Sequence, residues 1–399
     1  MNDKIKRPLY IHALAMNCAL GQNKKEQIQC LKSEIPAQMV TEPGWLNDGK
    51  ETVVGKVNGT LPVIPAHLKH KNTRNNRLAL SALVQIEEQV KLHIQKVGAS
   101  RIAVIVGTST SGISDGERAL AIKASTGSLP EDYHYHQQEV GNLGQFVADY
   151  FAIEGPTYTI STACSSSGRV FLSAQRLLKS GLVDAVLVGG VDSLCQLTLN
   201  GFHALEALST TICLPFGANR NGINIGEAGA FMLLSLQKNG SRIALLGVGD
   251  SSDAHHISAP HPEGYGAIAS MQKALQDAQL APCDIGYINA HGTATKLNDT
   301  MEAKAIYALF ADAVPVSSTK PLTGHALGAA SMLESVICCY ILSDSLDLPL
   351  QINDGNVDAT LAPIAFVDKP QKLHHKAILS NSFAFGGNNI SLIFGVVDV

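Results

Sequence analysis

The chain has 399 residues, 45% of them apolar and 16% charged, with 35 glycines and a formal net charge of −4. Disorder needs low hydrophobicity and high net charge, so it is excluded, and 30 Lys and Arg against 34 Asp and Glu lack the basic excess of a nucleic-acid binder. Eight cysteines at this length are no disulfide scaffold, no run of about 18 uncharged apolar residues marks a membrane helix, and so little charge predicts a large buried surface, part of it in an oligomer.

Lys4, Lys6 and Arg7 precede the apolar stretch Leu9–Met16. His12 and Asn17 interrupt it, and no cleavage site follows, so it is read as a first strand of a cytoplasmic protein and not as a signal peptide. Further on, Ile102–Val106, Ala185–Gly190 and Arg242–Gly247 are short apolar runs of the kind found in strands buried on both faces. Between them Val170, Phe171, Ala174, Leu177 and Leu178 repeat at helical spacing. Alternating strands and helices predict α/β layers. Ala103–Thr110 and Gly286–Thr295 are both a strand followed by Gly-Thr-small-Thr, which hints at internal duplication. Two similar lobes follow, residues 1–247 and residues 248–399, dividing in the Gly, Ser, Asp and Pro-rich stretch Gly247–Pro262 and packed as one body.

Four turns carry candidate chemistry. Thr159–Gly168 places Cys164 between a strand and a helix, where free N–H groups and the helix dipole can lower a thiol pKa from about 8.5. The other seven cysteines are read as structural fillers. His291 follows a strand in Asn289–Thr295, and His325 precedes a Gly/Ala-rich helix start in Ser317–Ala330. His255, His256, His261, His374 and His375 are read as ordinary polar residues. No His-x-x-x-His or Cys-x-x-Cys pattern points to a metal. The fourth turn, Asn381–Asn389, reads either as a loop whose N–H groups face a ligand or as a simple hairpin turn.

Taken in order, Thr162-Ala163-Cys164, Pro215-Phe216 with Gly226-Glu227-Ala228, His291–Thr295, Lys320 with Gly324–Ala330, and Asn381–Gly387 resemble the elongating β-ketoacyl-ACP synthases across essentially the whole chain. The resemblance implies a thiolase fold of duplicated α-β-α-β-α layers. It implies decarboxylative condensation of an acyl thioester, held on Cys164, with a malonyl group on acyl carrier protein. Cys164, His291, His325 and Lys320 would be catalytic. The N–H groups of Cys164 and Phe385 would form an oxyanion hole, and Glu302 would pair with Lys320. Phe383 would be a gate, and Thr293 and Thr295 would bind the phosphopantetheine arm. The same resemblance implies a monovalent cation at Asn289, Glu334, Ser380 and Asn381, and no tightly bound cofactor.

Lys296-Leu297-Asn298, Ala384, Asn388, Ser165-Ser166-Ser167 and the segment Pro215–Ile223 depart from the housekeeping pattern. They point to a specialised synthase of polyene or polyketide type. Such an enzyme is a homodimer, or a heterodimer with a chain-length factor. Two other readings stay open: a partner subunit that shapes another chain's pocket, and a thiol hydrolase. Lys69, Lys71, Arg74 and Arg77 form the densest basic run, a landing site for an acidic carrier protein or a solvated helix face.

Overall fold

The computed structural model describes residues 8–33, 35 and 38–397, so Lys4, Lys6 and Arg7 lie outside the described residues. Ten strands make one continuous sheet. They are β1 (Leu9–Cys18), β2 (Ile102–Gly107), β3 (Thr157–Ile160), β4 (Ala185–Asp192) and β5 (Ala228–Ser235) in the first half. The second half holds β6 (Ile243–Ser252), β7 (Tyr287–Asn289), β8 (Val316–Ser317), β9 (Ala377–Ala384) and β10 (Asn388–Val396).

The strand order is β8-β7-β9-β10-β6-β1-β5-β4-β2-β3. From the centre outwards each half repeats one pattern. β1 pairs antiparallel with β5, β5 antiparallel with β4, and β4 and β3 each pair parallel with β2. Likewise β6 pairs antiparallel with β10, β10 antiparallel with β9, and β9 and β8 each pair parallel with β7. The duplication hinted at by the two Gly-Thr segments therefore extends through the whole sheet, with β2 and β7 as equivalents. The halves join where Leu9 and Tyr10 pair with Leu245 and Ala244. β6, the first strand of the second half, runs unbroken from Ile243 past Gly247 to Ser252.

Helices fill three layers. Helices α1 (Arg74–Leu83) and α2 (Asn142–Phe151) cover one outer face, packing on β5 and β2. The helices α3 (Ser166–Lys179) and α6 (Ala330–Asp344) lie between the two halves of the sheet. On the other outer face sit α4 (Tyr265–Ala278) and α5 (Lys296–Phe310). This is the expected α-β-α-β-α order. The continuous apolar runs of β2 and β4 follow from it, since both of their faces are covered and every residue is buried.

Helix α6 shows how strongly position outweighs composition. Leu327–Asp344 is long and apolar enough to cross a membrane. Yet 13 of the 15 residues of α6 are buried inside the protein. Each buried Leu, Ile, Val or Met there contributes about 1.5–3 kcal/mol, so the segment is the core of the molecule. Close approach of α3 to α6 needs Gly168, because a Cβ there would stand 2.7 Å from Ser331 Oγ and 2.5 Å from Ile390.

Candidate active site

The four turns converge. Cys164 follows β3, and the residue before it, Ala163, is held at φ +52, a conformation that alanine seldom adopts. Local hydroxyls hold this turn. Thr162 N–H donates to Ser166 Oγ at 2.8 Å, Ser166 Oγ donates to Ala163 O, and Ser165 Oγ donates to Thr162 O. Ser167 Oγ accepts the Met332 N–H, which ties the start of α3 to α6. The three consecutive serines thus fix the nucleophile turn instead of merely leaving space around it.

His325 Nε2 stands 2.9 Å from Cys164 Sγ, across 161 residues of sequence. The Asn224–Gly226 backbone holds His325 on both sides: its N–H donates to Asn224 O, and its carbonyl accepts from Gly226 N–H. The His291 ring stands nearly perpendicular to the His325 ring, centroids 5.2 Å apart. Its turn is fixed by Glu302, which accepts from the His291 N–H at 2.8 Å and the Gly292 N–H at 2.7 Å.

Burial dominates the electrostatics. It drives both imidazoles well below their usual range, and the Lys320 cation lowers them further, so both rings are neutral. The Cys164 thiol is pushed up to about 11, first by burial. Lys320 and the N–H groups of Phe385 and Cys164 itself favour the anion but do not offset that penalty. The low thiol pKa expected from the helix N-terminus is therefore corrected: desolvation exceeds the helix and its donors. What survives of the expectation is that both N–H groups face the sulfur. Glu302 is pushed up to about 7 by burial, partly opposed by its two backbone donors.

Lys320 is buried, but its partner is not Glu302. Its Nζ contacts Glu334 Oε1 and the His291 carbonyl oxygen. Glu302 spends its oxygens on backbone N–H groups, so the expected Lys320–Glu302 pair is replaced by Lys320–Glu334. The free oxygen of Glu334, Oε2, has no hydrogen-bond partner, nor do Asn289 Oδ1 and Ser380 Oγ. Asn289 and Ser380 are direct partners on β7 and β9. A carboxylate oxygen and two neutral oxygens, all buried and unpartnered, are the donor types that suit a monovalent cation. Asn381 is different, because its Oδ1 already accepts from Ser391 Oγ.

A cavity of about 480 Å³ opens onto Cys164, His291 and His325. Thr293 and Thr295 line it and bond to each other at 3.0 Å. Phe383 and Phe385 line it too, but they are held differently. Phe383 lies within β9, paired with Asn389 and edge-on to His291 at 6.3 Å. Phe385 is half-exposed on the turn Phe385–Gly387, which has positive φ at Gly386 and Gly387. Phe385 is the more exposed of the two rings and packs against Phe202 at 5.6 Å, while Phe383 lines the cavity beside His291. The turn is a hairpin connection whose N–H groups also do work: Phe385 faces the thiol and Gly386 donates to Ile257 O.

The basic run is largely spent on structure. Lys71 is buried against Asp149, and Arg74 makes a two-point contact with the buried Glu227. Of the four, only Lys69 is exposed; Arg77 lies half-buried beside Leu61, Val63 and Ile64. One residue went unremarked in the sequence. Asp192, at the end of β4, accepts from Thr108 Oγ1, both the N–H and Oγ1 of Thr110, the Ser109 N–H and the Ala329 N–H. It joins the turn after β2 to the start of α6. An acidic residue ending a fully apolar strand is the signal that could have revealed it.

Residues 10–239 match the N-terminal domain of β-ketoacyl synthase, and residues 243–353 match its C-terminal domain. The chain is 33% identical over 355 residues to a 3-oxoacyl-[acyl-carrier-protein] synthase 2 of Staphylococcus aureus, covering 83% of this chain and 87% of the relative. It is 32% identical over 390 residues to nodulation protein E of Rhizobium meliloti, covering 94% and 91%. A ketosynthase from Xenorhabdus doucetiae, solved in complex with its chain length factor, superposes with a TM-score of 0.95, 48% identity and full coverage of both chains.

Proposed function

The chain belongs to the β-ketoacyl synthase family and is an acyltransferase that joins an acyl thioester to a malonyl group on acyl carrier protein; from that premise we propose how its residues divide the work. The observation that carries the assignment is the 2.9 Å contact between Cys164 Sγ and His325 Nε2, with His291 beside it at the cavity floor.

The first half-reaction loads Cys164. His325 Nε2 takes the thiol proton as the sulfur attacks the carrier thioester. The N–H groups of Cys164 and Phe385 hold the oxyanion. Burial opposes an imidazolium, so His325 passes the proton on to the departing carrier thiolate. In the second half-reaction a malonyl thioester enters past Thr293 and Thr295. Neutral His291 and His325 donate ring N–H groups to its carbonyl oxygen. The carboxylate leaves as carbon dioxide, and its bonding pair becomes the enolate, which attacks the acyl carbon and expels the Cys164 thiolate. Lys320 stays paired with Glu334, fixes the His291 carbonyl and keeps both rings uncharged. A monovalent cation held by Asn289, Glu334 and Ser380 would brace that pair electrostatically.

The neighbour from Xenorhabdus doucetiae is in complex with its chain length factor, and we read this chain as the active subunit of a similar pair in a polyene or polyketide-type pathway of the cytoplasm. The nucleophile is present, so the pocket-shaping role falls to the partner. Edge strand β3, with Tyr158 exposed, offers the open ladder on which such a subunit can sit. Substrates arrive on the phosphopantetheine of the carrier, and Lys69 and Arg77 are its landing charges. Purified protein supplied with acyl- and malonyl-carrier tests the assignment by mass spectrometry. The expected products are an acyl adduct on Cys164 and a β-ketoacyl-carrier; unchanged condensation by Cys164→Ala refutes it, and free acid with no elongated product marks a hydrolase.

A further inference from the structure

We propose that Cys164, His291 and His325 together form a binding site for a soft divalent cation, best matched by zinc, whose occupation switches the thiol off. One donor atom from each of the three residues lies within 4.8 Å of the others, and among the described residues no other group of three such donors comes together. All three side chains are buried, yet the cavity of about 480 Å³ gives an ion a way in and leaves room for a water as fourth ligand.

The donor set selects the metal. One sulfur and two imidazole nitrogens suit zinc and copper, whereas magnesium and calcium demand oxygen. Tetrahedral zinc has Zn–S near 2.3 Å and Zn–N near 2.0–2.1 Å, which sets the sulfur about 3.5 Å from each nitrogen and the nitrogens about 3.3 Å apart. The Cys164–His325 contact of 2.9 Å must therefore open by about 0.6 Å. His291, whose donor atom lies within 4.8 Å of the other two, must close by at most about 1.5 Å. Both adjustments are within side-chain rotation and leave the turns in place. Each neutral ring has one unprotonated nitrogen, and a change of tautomer turns that nitrogen to the ion. The Lys320 charge opposes a second cation, but Glu334 compensates it.

Binding breaks the S–H bond and forms a sulfur–metal bond, and the proton leaves to the buffer. No oxidant or reductant is involved. The electron pair that would attack a thioester is then committed to the metal, so metal and acyl group exclude each other. The proposal stands on three side chains and does not depend on the condensation chemistry.

Cobalt(II), a spectroscopic stand-in for zinc, tests it on the full chain stripped of metal. Titration is expected to saturate at one equivalent, with a sulfur-to-cobalt charge-transfer band and four-coordinate visible bands, all erased by added Zn²⁺. Cys164→Ala should abolish the charge-transfer band and weaken binding by more than about 100-fold, beyond what losing an outer hydrogen-bond partner does. His291→Ala and His325→Ala should each weaken it by about tenfold or more. Cys283→Ser, which removes an exposed thiol, should change nothing. Circular dichroism checks that each variant folds. Wild-type protein carrying an acyl group on Cys164 should show no band, a reading that needs no variant. An unchanged titration in Cys164→Ala, a six-coordinate spectrum, or no saturable binding overturns the proposal. Because the readout is a spectrum, failure of the condensation assay would leave it standing, and its own failure would leave the condensation reading untouched.

Discussion

Substituting Gly107 by alanine would press on the nucleophile from outside the cavity. Gly107 ends β2, directly under the first turn of α3. A Cβ there would stand 2.5 Å from Ser167 N and 2.7 Å from Ser166 C, where ordinary contact begins at 3.4 Å. Both clashing atoms belong to the backbone, so no side chain can swing away. The start of α3 must retreat by about 0.9 Å, the difference between 3.4 and 2.5 Å. Cys164 precedes that turn by two residues and shares its hydroxyl network. Its 2.9 Å contact with His325 would lengthen towards about 3.8 Å. A displacement near 1 Å costs about 100-fold in rate, and overpacking costs about 1–3 kcal/mol of stability. Single-turnover acylation of Cys164, followed by mass spectrometry, reads the first effect, and thermal denaturation reads the second. Gly201→Ala is the control, since a Cβ there meets nothing within 4 Å. An acylation rate for Gly107→Ala within about twofold of wild type, with unchanged stability, would refute the reasoning.

Lys320→Met should cost about 3–5 kcal/mol in denaturant titrations, because it strands the buried Glu334 carboxylate; adding Glu334→Gln should recover part of it, and equal stability of single and double variants would argue against the pair. Raising pH should speed alkylation of Cys164 about tenfold per unit from pH 8 to 10, since the thiol titrates near about 11 and the thiolate fraction grows throughout. A plateau below pH 9 would show that the donors outweigh burial. Lys69→Glu should raise the KM for carrier-bound substrate without lowering the melting temperature. Arg74→Glu should do the reverse, by facing the buried Glu227 with a second negative charge, and a KM effect confined to Arg74 would move the landing site.

Much of the site was legible because its parts are local. A nucleophile at a strand-to-helix turn, or a histidine flanked by glycine after a strand, needs only a few neighbouring residues to be recognised. The duplicated strand-Gly-Thr segments were visible for the same reason, and they mark equivalent strands, β2 and β7. Less was legible where the outcome depended on a partner far along the chain. The basic run looked like one surface feature, but Asp149 and Glu227 claim Lys71 and Arg74 from distances of 78 and 153 residues. Asp192 attracted no notice, because its donors come from two separate turns.

Composition and turn chemistry by themselves determined the α/β layering, the three side chains that meet at the cavity and the family resemblance, since strand runs, helix starts and glycine turns are written in short windows. Tertiary structure alone decided that Lys320 meets Glu334 and not Glu302, that Phe385 sits on an exposed turn while Phe383 is buried within β9, and that burial raises the Cys164 thiol. The physical reason is common to all three. Charge pairing, side-chain exposure and pKa depend on what surrounds a group in space, and at the centre of this protein the surroundings are supplied by two halves of the chain closing over α3 and α6.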